Sequence, residues 1–80
     1  MNWRDHIHSN PGIAGGRPVF RGTRYSVERV LKLVGAGWSA DQIGEEYPGL
    51  EATHVQAAAA FAAELMRDEM YVAIGQAQAA

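Results

Sequence analysis

Five cationic side chains lie close together in the first half of the sequence, in and after the stretch GGRPVFRGTRYSV at residues 15–27. Guanidinium and ammonium groups are the side chains that most often bind phosphate in proteins. When a tight turn joins two strands, arginines at the two ends of the turn lie at the same end of the hairpin. Both side chains can therefore extend from that end. The cluster therefore predicts contacts to a polyanion, with DNA as the first candidate, through Arg17, Arg21, Arg24, Arg29 and Lys32.

Two of these arginines also have a structural interpretation. Arg21 and Arg24 flank the two-residue turn Gly22-Thr23, and Thr23 joins them as a candidate DNA contact. Instead of binding DNA, the two guanidinium groups could form ion pairs that tie the hairpin to the acidic helices after it. The acceptors would be Glu45, Glu46 or Glu51. The sequence leaves both interpretations open.

Charge is distributed unevenly along the chain, which has a net charge of −2. Residues 1–40 carry six basic and two acidic side chains, a net charge of +4. Residues 41–80 carry one basic and seven acidic side chains, a net charge of −6. A chain charged in this way can offer a basic face to a polyanion and an acidic face to a basic protein.

Residue types that support catalysis or metal binding are sparse. The chain has no cysteine, and only two of its three histidines, His6 and His8, are close in sequence. The adjacent acids Glu45 and Glu46 would not face each other on a helix. The sequence contains no evident nucleophile–base pair and no lysine-bearing phosphate loop. We therefore expect a protein that is not an enzyme and that binds no cofactor or metal.

Turn and capping residues predict the elements that hold the cationic cluster. Residues 18–20 and 24–27 are two short extended runs, which predict a hairpin with Gly22 at a position of positive φ. Ser26 is expected to cap a first helix. The apolar stripe of that helix is predicted to consist of Val27, Val30, Leu31 and Val34.

A short second helix and a tight turn come next. Ser39 and Gln42 predict a capping box, Ile43 is expected to point inward, and Pro48 with Gly49 ends the helix. A medium helix, a short helix, a tight turn and a long helix are the layout of a helix-turn-helix domain. We therefore predict a mainly α fold: a three-helix helix-turn-helix domain with a short N-terminal β-hairpin or arm.

The third helix is the longest predicted element, over residues 53–69, and Thr53 with Gln56 predicts a capping box at its start. In a helix-turn-helix protein its first turns would face DNA, where Thr53, His54 and Gln56 can hydrogen-bond to base edges. These turns contain no arginine or lysine, so phosphate contacts have to come from the cationic cluster. The expected inward side chains are Val55, Ala58, Ala59, Ala62, Leu65 and Met66.

The C-terminal end is predicted to bind a partner. Residues 1–70 are expected to form a single domain, and residues 71–80 a tail. The large apolar side chains near this boundary exceed what so small a core can cover, so we expect them to dock on a second copy or on another protein. The alternative is that they pack onto the protein's own helices. They are Met66, Met70, Tyr71, Val72 and Ile74.

Membrane insertion and export are not expected from the sequence. The longest apolar run, residues 57–63, is far too short to cross a bilayer. The first ten residues lack the apolar segment of a signal peptide. A cytoplasmic location without membrane contact is therefore predicted.

An ordered set of short motifs in residues 12–64 resembles the DUF433 family, a family defined as a domain of unknown function. The chain departs from the family pattern at Ser26, where proline is frequent, and in the additional residues 73–80. The matching motifs are Gly15-Gly16-Arg17-Pro18, Gly22-Thr23-Arg24, Gly37-Trp38-Ser39, Ile43 and Tyr47-Pro48-Gly49-Leu50.

The resemblance implies a homeodomain-like helix-turn-helix domain and a role as a VapB-type antitoxin. Such a protein would bind and neutralise a PIN-like ribonuclease toxin encoded nearby, and it would bind operator DNA as a repressor. The expected assembly is a homodimer or a toxin–antitoxin hetero-oligomer. The alternative is a protein-interaction or dimerisation domain that has the helix-turn-helix shape and does not bind DNA. The clustered arginines favour the first function, and the poorly basic third helix favours the second.

Overall fold

The computed structural model of the protein describes residues 1–67 and is mainly helical. Three α-helices form the body of the domain, and a short two-stranded antiparallel sheet lies at its N-terminal side, which confirms the predicted fold class. In chain order the elements are a 3-10 helix Trp3–Asp5, strand β1 Ile7–His8, a 3-10 helix Ala14–Gly16, strand β2 Val19–Phe20, and helices α1 Val27–Gly35, α2 Ala40–Glu46 and α3 Ala52–Leu65.

The sheet differs from the predicted hairpin. Strand β2 pairs with β1, with Phe20 opposite Ile7 and Val19 opposite His8. Residues 24–27 contribute only one isolated bridge, between Val19 and Ser26. The predicted pairing is nevertheless present in a short form, because the Phe20 amide donates to the Tyr25 carbonyl at 3.1 Å and the Val27 amide donates to the Pro18 carbonyl at 3.0 Å. It stays this short because α1 begins immediately after Ser26, and the two-residue ladder of β2 is formed with β1.

The predicted tight turn is present, although its position is shifted. The amide of Thr23 donates to the carbonyl of Phe20 at 3.0 Å, so the central residues of the turn are Arg21 and Gly22. Gly22 has a φ of +78°, which fits the third position of a type II turn and is costly for a side chain with a Cβ atom. Arg21 thus lies within the turn and does not flank it.

Helix α1 begins as predicted, at a capped N-terminus. The Ser26 hydroxyl accepts a hydrogen bond from the Arg29 amide at 3.1 Å. Val27 and Val30 are buried, but Val34 is 42% exposed, so the predicted stripe is wrong at its last position. Leu33 occupies the core side of the final turn instead, and the amide of Trp38 closes that turn on the Leu33 carbonyl.

Helix α2 and the turn after it are confirmed in detail. The Ser39 hydroxyl accepts from the Gln42 amide at 3.1 Å, and the Gln42 side chain accepts from the Ser39 amide at 2.8 Å. Ile43 is fully buried. The chain then reverses through a turn in which the Leu50 amide donates to the Tyr47 carbonyl and Gly49 has a φ of +101°.

Helix α3 begins one residue earlier than predicted and is capped differently. Glu51 is the N-cap residue, and its amide donates to Nδ1 of His54 at 2.9 Å. The capping box expected from Thr53 and Gln56 is therefore wrong. A histidine placed three residues after the cap supplies the acceptor instead.

The buried face of α3 also differs from the prediction. Ala57 and Ala58 are fully buried, and Phe61 packs against the core from the next turn. Ala59 is exposed, as are Leu65 at 49% and Met66 at 54%, because the last two lie a turn beyond Phe61. The core of the described chain comprises Ile7, Phe20, Val27, Val30, Ile43, Leu50, Ala57 and Ala58.

No helix of residues 1–67 combines the length and the apolar character that a bilayer-spanning segment requires. The predicted C-terminal part of α3 beyond residue 67 and the predicted domain boundary at residue 70 lie outside the described residues.

Two valines on α1 test where its buried face lies. Val30→Ala is expected to lower the free energy of unfolding by about 2 kcal/mol, since Val30 is fully buried. Val34→Ala is expected to change it by less than about 0.5 kcal/mol. Both substitutions increase helix propensity by the same amount, because each replaces valine with alanine in the same helix. The difference between their free energies of unfolding, measured with urea, therefore reports the difference in burial of the two side chains. Equal losses would contradict the described orientation of α1.

Candidate nucleic-acid interface

Three of the predicted cationic side chains surround one shallow depression beside the start of α1. Arg17 comes from the loop before β2, and Arg29 and Lys32 come from α1. The depression has a volume of about 350 Å³, and all three residues are exposed. The fold therefore brings together side chains that are up to fifteen positions apart in the sequence.

Glu28 is the acidic group within this cluster. Its carboxylate lies 3.7 Å from Nη1 of Arg17 and 3.3 Å from Nζ of Lys32. The side chains of Arg17 and Lys32 remain 71% and 77% exposed. Ion pairs as exposed as these contribute little to stability, so a phosphate group can compete for both cations.

Arg29 connects the cluster to the turn between α2 and α3. Its Cζ lies 6.0 Å from the centre of the Tyr47 ring, at the outer limit of a cation–π contact. The Tyr47 ring packs edge-to-face against Tyr25 with centroids 5.4 Å apart. The sequence predicts Tyr47 as an inward residue of α2 and as part of the motif Tyr47-Pro48-Gly49-Leu50, but it does not predict the contact with Arg29.

Arg24 also lies near this turn. It borders a second depression, of about 410 Å³, together with Pro48 and Gly49. Its side chain forms no ion pair with an acidic residue among residues 1–67, so the predicted alternative partners Glu45, Glu46 and Glu51 do not engage it there. Arg24 is therefore presented to solvent beside the turn between α2 and α3.

Arg21 has a different role, in which it fastens the N-terminal arm. Its Nε and Nη2 both donate to the carbonyl of Arg4, at 3.3 and 3.2 Å. Its amide donates to the carbonyl of His6 at 2.8 Å. Among the described residues the predicted ion pair of Arg21 with Glu45, Glu46 or Glu51 is not formed. Arg21 has a structural role of another kind, in which its acceptor is a backbone carbonyl of the arm.

Thr23 is also engaged inside the fold. Its hydroxyl donates to the Phe20 carbonyl at 2.9 Å and accepts from the Tyr25 amide at 3.1 Å. These two bonds stabilise the turn next to Gly22. The hydroxyl is half-buried and already paired, so it is a poor candidate for contact with DNA.

The three predicted base-contacting residues of α3 are in unequal environments. Gln56 is exposed and Thr53 is half-buried. His54 packs edge-to-face on Phe20 at 5.2 Å and near His6 at 6.2 Å, and its Nδ1 caps the helix. His54 therefore serves the fold, while Gln56 is the most accessible of the three.

An arginine that sequence reasoning did not select also fastens the arm. Arg4 pairs with Glu64 of α3 at 2.9 Å and lies 4.3 Å above the Trp3 ring. The Trp3 ring packs edge-to-face on Phe61, with centroids 4.9 Å apart. The sequence indicated that this arm packs on the domain through two apolar residues, Trp3 and Ile7, in an otherwise polar segment.

The predicted partner-binding residues are only partly covered by the structure. Met66 is exposed at the end of α3, contrary to the prediction that it points inward. Met70, Tyr71, Val72 and Ile74 lie outside the described residues.

Comparison with known proteins identifies relatives of this domain. The family described as "Protein of unknown function (DUF433)" matches residues 7–62. An uncharacterized protein of Sinorhizobium fredii, y4eO, is 41% identical over 59 residues, which are 74% of this chain but 27% of that protein. The chain therefore spans about a quarter of the length of this curated relative.

A solved structure shares the fold. It is the crystal structure, at 2.00 Å resolution, of a DUF433 member protein from Anabaena variabilis. The TM-score is 0.69 at 28% sequence identity, and the match covers 76% of this chain and 60% of the other.

A pair of length-preserving substitutions separates the two roles of the turn arginines. Arg21→Met is expected to lower the free energy of unfolding by about 1 kcal/mol, because both bonds to the Arg4 carbonyl are lost. It should also speed amide hydrogen exchange in β1. Arg24→Met should change stability by less than about 0.5 kcal/mol. Thermal unfolding and exchange measured on both variants check this, and equal behaviour would show that Arg21 does not hold the arm.

Proposed function

The chain belongs to the DUF433 family, and from that premise we propose that it is an antitoxin-type module. In this proposal it binds operator DNA as a repressor, and it binds and neutralises a PIN-like ribonuclease encoded nearby. The family description itself assigns no function. The proposal therefore depends on how this chain distributes its own charged and apolar side chains.

The position of Arg24 and Arg29 is the observation that carries the DNA-binding half. Arg29 lies beside the Tyr47 ring, Arg24 borders the same depression as Pro48 and Gly49, and α3 begins three residues after Gly49. In helix-turn-helix proteins the start of the third helix approaches the major groove while flanking residues contact the phosphates. Cations beside this turn are therefore placed where the backbone of a duplex would run.

Contacts to phosphate and contacts to bases are assigned to different residues. Arg17, Arg24, Arg29 and Lys32 are the exposed cations that would neutralise phosphates. Gln56 and Thr53 at the start of α3 are the side chains that would reach base edges. Because α3 contains no arginine or lysine and supplies few contacts to bases, we expect binding by the free protein to be weak and strongly dependent on salt.

The partner-binding half depends on the acidic, apolar C-terminal end of the chain. Residues 41–80 have a net charge of −6, which suits a basic nuclease. Leu65 and Met66 begin an apolar series on the surface of α3, and the sequence continues it at Met70, Tyr71, Val72 and Ile74. These residues are the surface that we assign to the toxin.

A second candidate function is a protein-interaction or dimerisation domain that does not bind DNA. Three of the nine candidate DNA contacts favour it, because Arg21, Thr23 and His54 all make contacts that serve the fold itself. In that case the remaining cations would keep the domain soluble and would have no polyanionic partner.

DNA binding is tested by neutralising the charges of Arg24 and Arg29, which lie beside the turn between α2 and α3. Fluorescence anisotropy with a duplex from the protein's own promoter should show affinity falling as salt rises. The double variant Arg24→Gln/Arg29→Gln is expected to reduce the slope of log K against log salt by about 2, since each arginine would release about one counterion. At low salt its affinity should fall by at least about tenfold.

The matched control is Arg67→Gln, which also removes an exposed positive charge but lies beyond the far end of the 14-residue helix α3. About 20 Å separate this end from the turn. The control should bind DNA nearly as well as the unmodified chain. If the double variant and the control behave alike, or if no salt-dependent binding is found, the interaction-domain function is the correct one.

A further inference from the structure

An apolar groove runs between α1 and α3, apart from the turn that we assign to DNA. Its volume is about 600 Å³, which is within the range of sites that hold several side chains. Val27 forms a buried part of its wall, and Leu65 at the other side is 49% exposed. The apolar lining comprises Pro18, Val27, Leu31, Phe61 and Leu65.

The rim of the groove is charged and mostly basic. Arg17 and Lys32 lie on the rim with Glu28 between them. An occupant that complements this surface needs apolar side chains for the lining and carboxylates for the two cations. A purely apolar ligand would leave the rim unused, and a purely acidic one would leave the lining exposed.

Residues 68–74 of this chain have that combination of side chains. Asp68 and Glu69 supply two adjacent carboxylates, and Met70, Tyr71, Val72 and Ile74 supply the apolar groups. We infer that the groove binds residues 68–74 of a second copy of this chain. In this arrangement the two carboxylates meet Arg17 and Lys32, and the apolar side chains cover Leu31, Phe61 and Leu65.

A second copy is a better donor of this segment than the chain itself. Residues 51–74 contain no glycine or proline, the residues that most often reverse a chain. Met66, the C-cap residue of α3, still has helical dihedral angles, φ −62° and ψ −38°, so the described part of the chain shows no reversal at the end of that helix. Exchange between two copies fills both grooves and closes a two-fold dimer.

Met70, Tyr71, Val72 and Ile74 are also the residues assigned to the toxin, and Arg17 and Lys32 are among those assigned to phosphate, so docking of the segment would compete with both contacts. Crosslinking of the chain alone, without toxin or DNA, tests the dimer contact separately from the proposed function. The chain contains no cysteine, which allows single cysteines to be used as position-specific probes. Leu31→Cys places a thiol in the groove, and Val72→Cys places one in the segment. A rim pair, Lys32→Cys and Glu69→Cys, repeats the test at a site that is 77% exposed, in case Leu31→Cys impairs folding.

The experiment mixes the two single-cysteine proteins of a pair under mild oxidation and follows the disulfide-linked heterodimer on non-reducing gels. It should form about tenfold faster than with the control pair Glu45→Cys and Val72→Cys, because docking raises the effective thiol concentration. A single chain that carries both Leu31→Cys and Val72→Cys should form a disulfide-linked dimer. Intact mass spectrometry should show that no free thiol remains in this dimer.

Two results would overturn the inference. The first is an internally linked monomer from the doubly substituted chain, formed at a rate independent of protein concentration, which would place the segment in the groove of its own chain. The second is crosslinking at the control rate by both the groove pair and the rim pair, which would leave the groove without this occupant.

Discussion

The burial of Val19 and Phe20 is the constraint on which the rest of the structure depends. Both side chains are fully buried, yet β2 is only two residues long and must be held from both sides. Ile7 pairs with Phe20 on one side, and Ser26 forms a bridge with Val19 on the other. Phe20 also packs on His54 of α3. One dipeptide thus joins the arm, the start of α1 and the start of α3.

The packing of Val19 and Phe20 gives Arg21 a different environment from Arg24 and Arg29. The turn after Phe20 directs Arg21 toward the arm, where its guanidinium satisfies the Arg4 carbonyl. The same turn directs Arg24 toward Pro48 and Gly49. Arg29 reaches the same corner from α1 because the Ser26 cap fixes where that helix begins. The packing of the core therefore sets the positions of Arg24 and Arg29 in the candidate interface. No additional secondary-structure element is required to hold them there.

The sequence correctly predicted those features of the fold that depend only on residues close together in the chain. Ser26 and Ser39 cap helices because each hydroxyl accepts a hydrogen bond from an amide three residues later, in the first helical turn, where that amide has no carbonyl partner within the helix. The phase of α3 could not be read in the same way, since residues 57–60 are all alanine and give no apolar periodicity. Its buried face is set by Phe20 and Trp3, which lie more than thirty residues away in sequence. Likewise, nothing local distinguishes Arg21 from Arg24, because only the folded arm brings a carbonyl to one of them.

We propose that a DNA duplex contacts the corner between α2 and α3, beside which both Arg24 and Arg29 lie. The most direct measurement is a titration of the 15N-labelled protein with a promoter duplex, followed by amide chemical shifts. The account predicts the largest changes at residues 24–32 and 47–56, with little change at Ile7 and His8 or at the α3 end near Leu65. Changes confined to the groove between α1 and α3, or no changes at any residue, would contradict it.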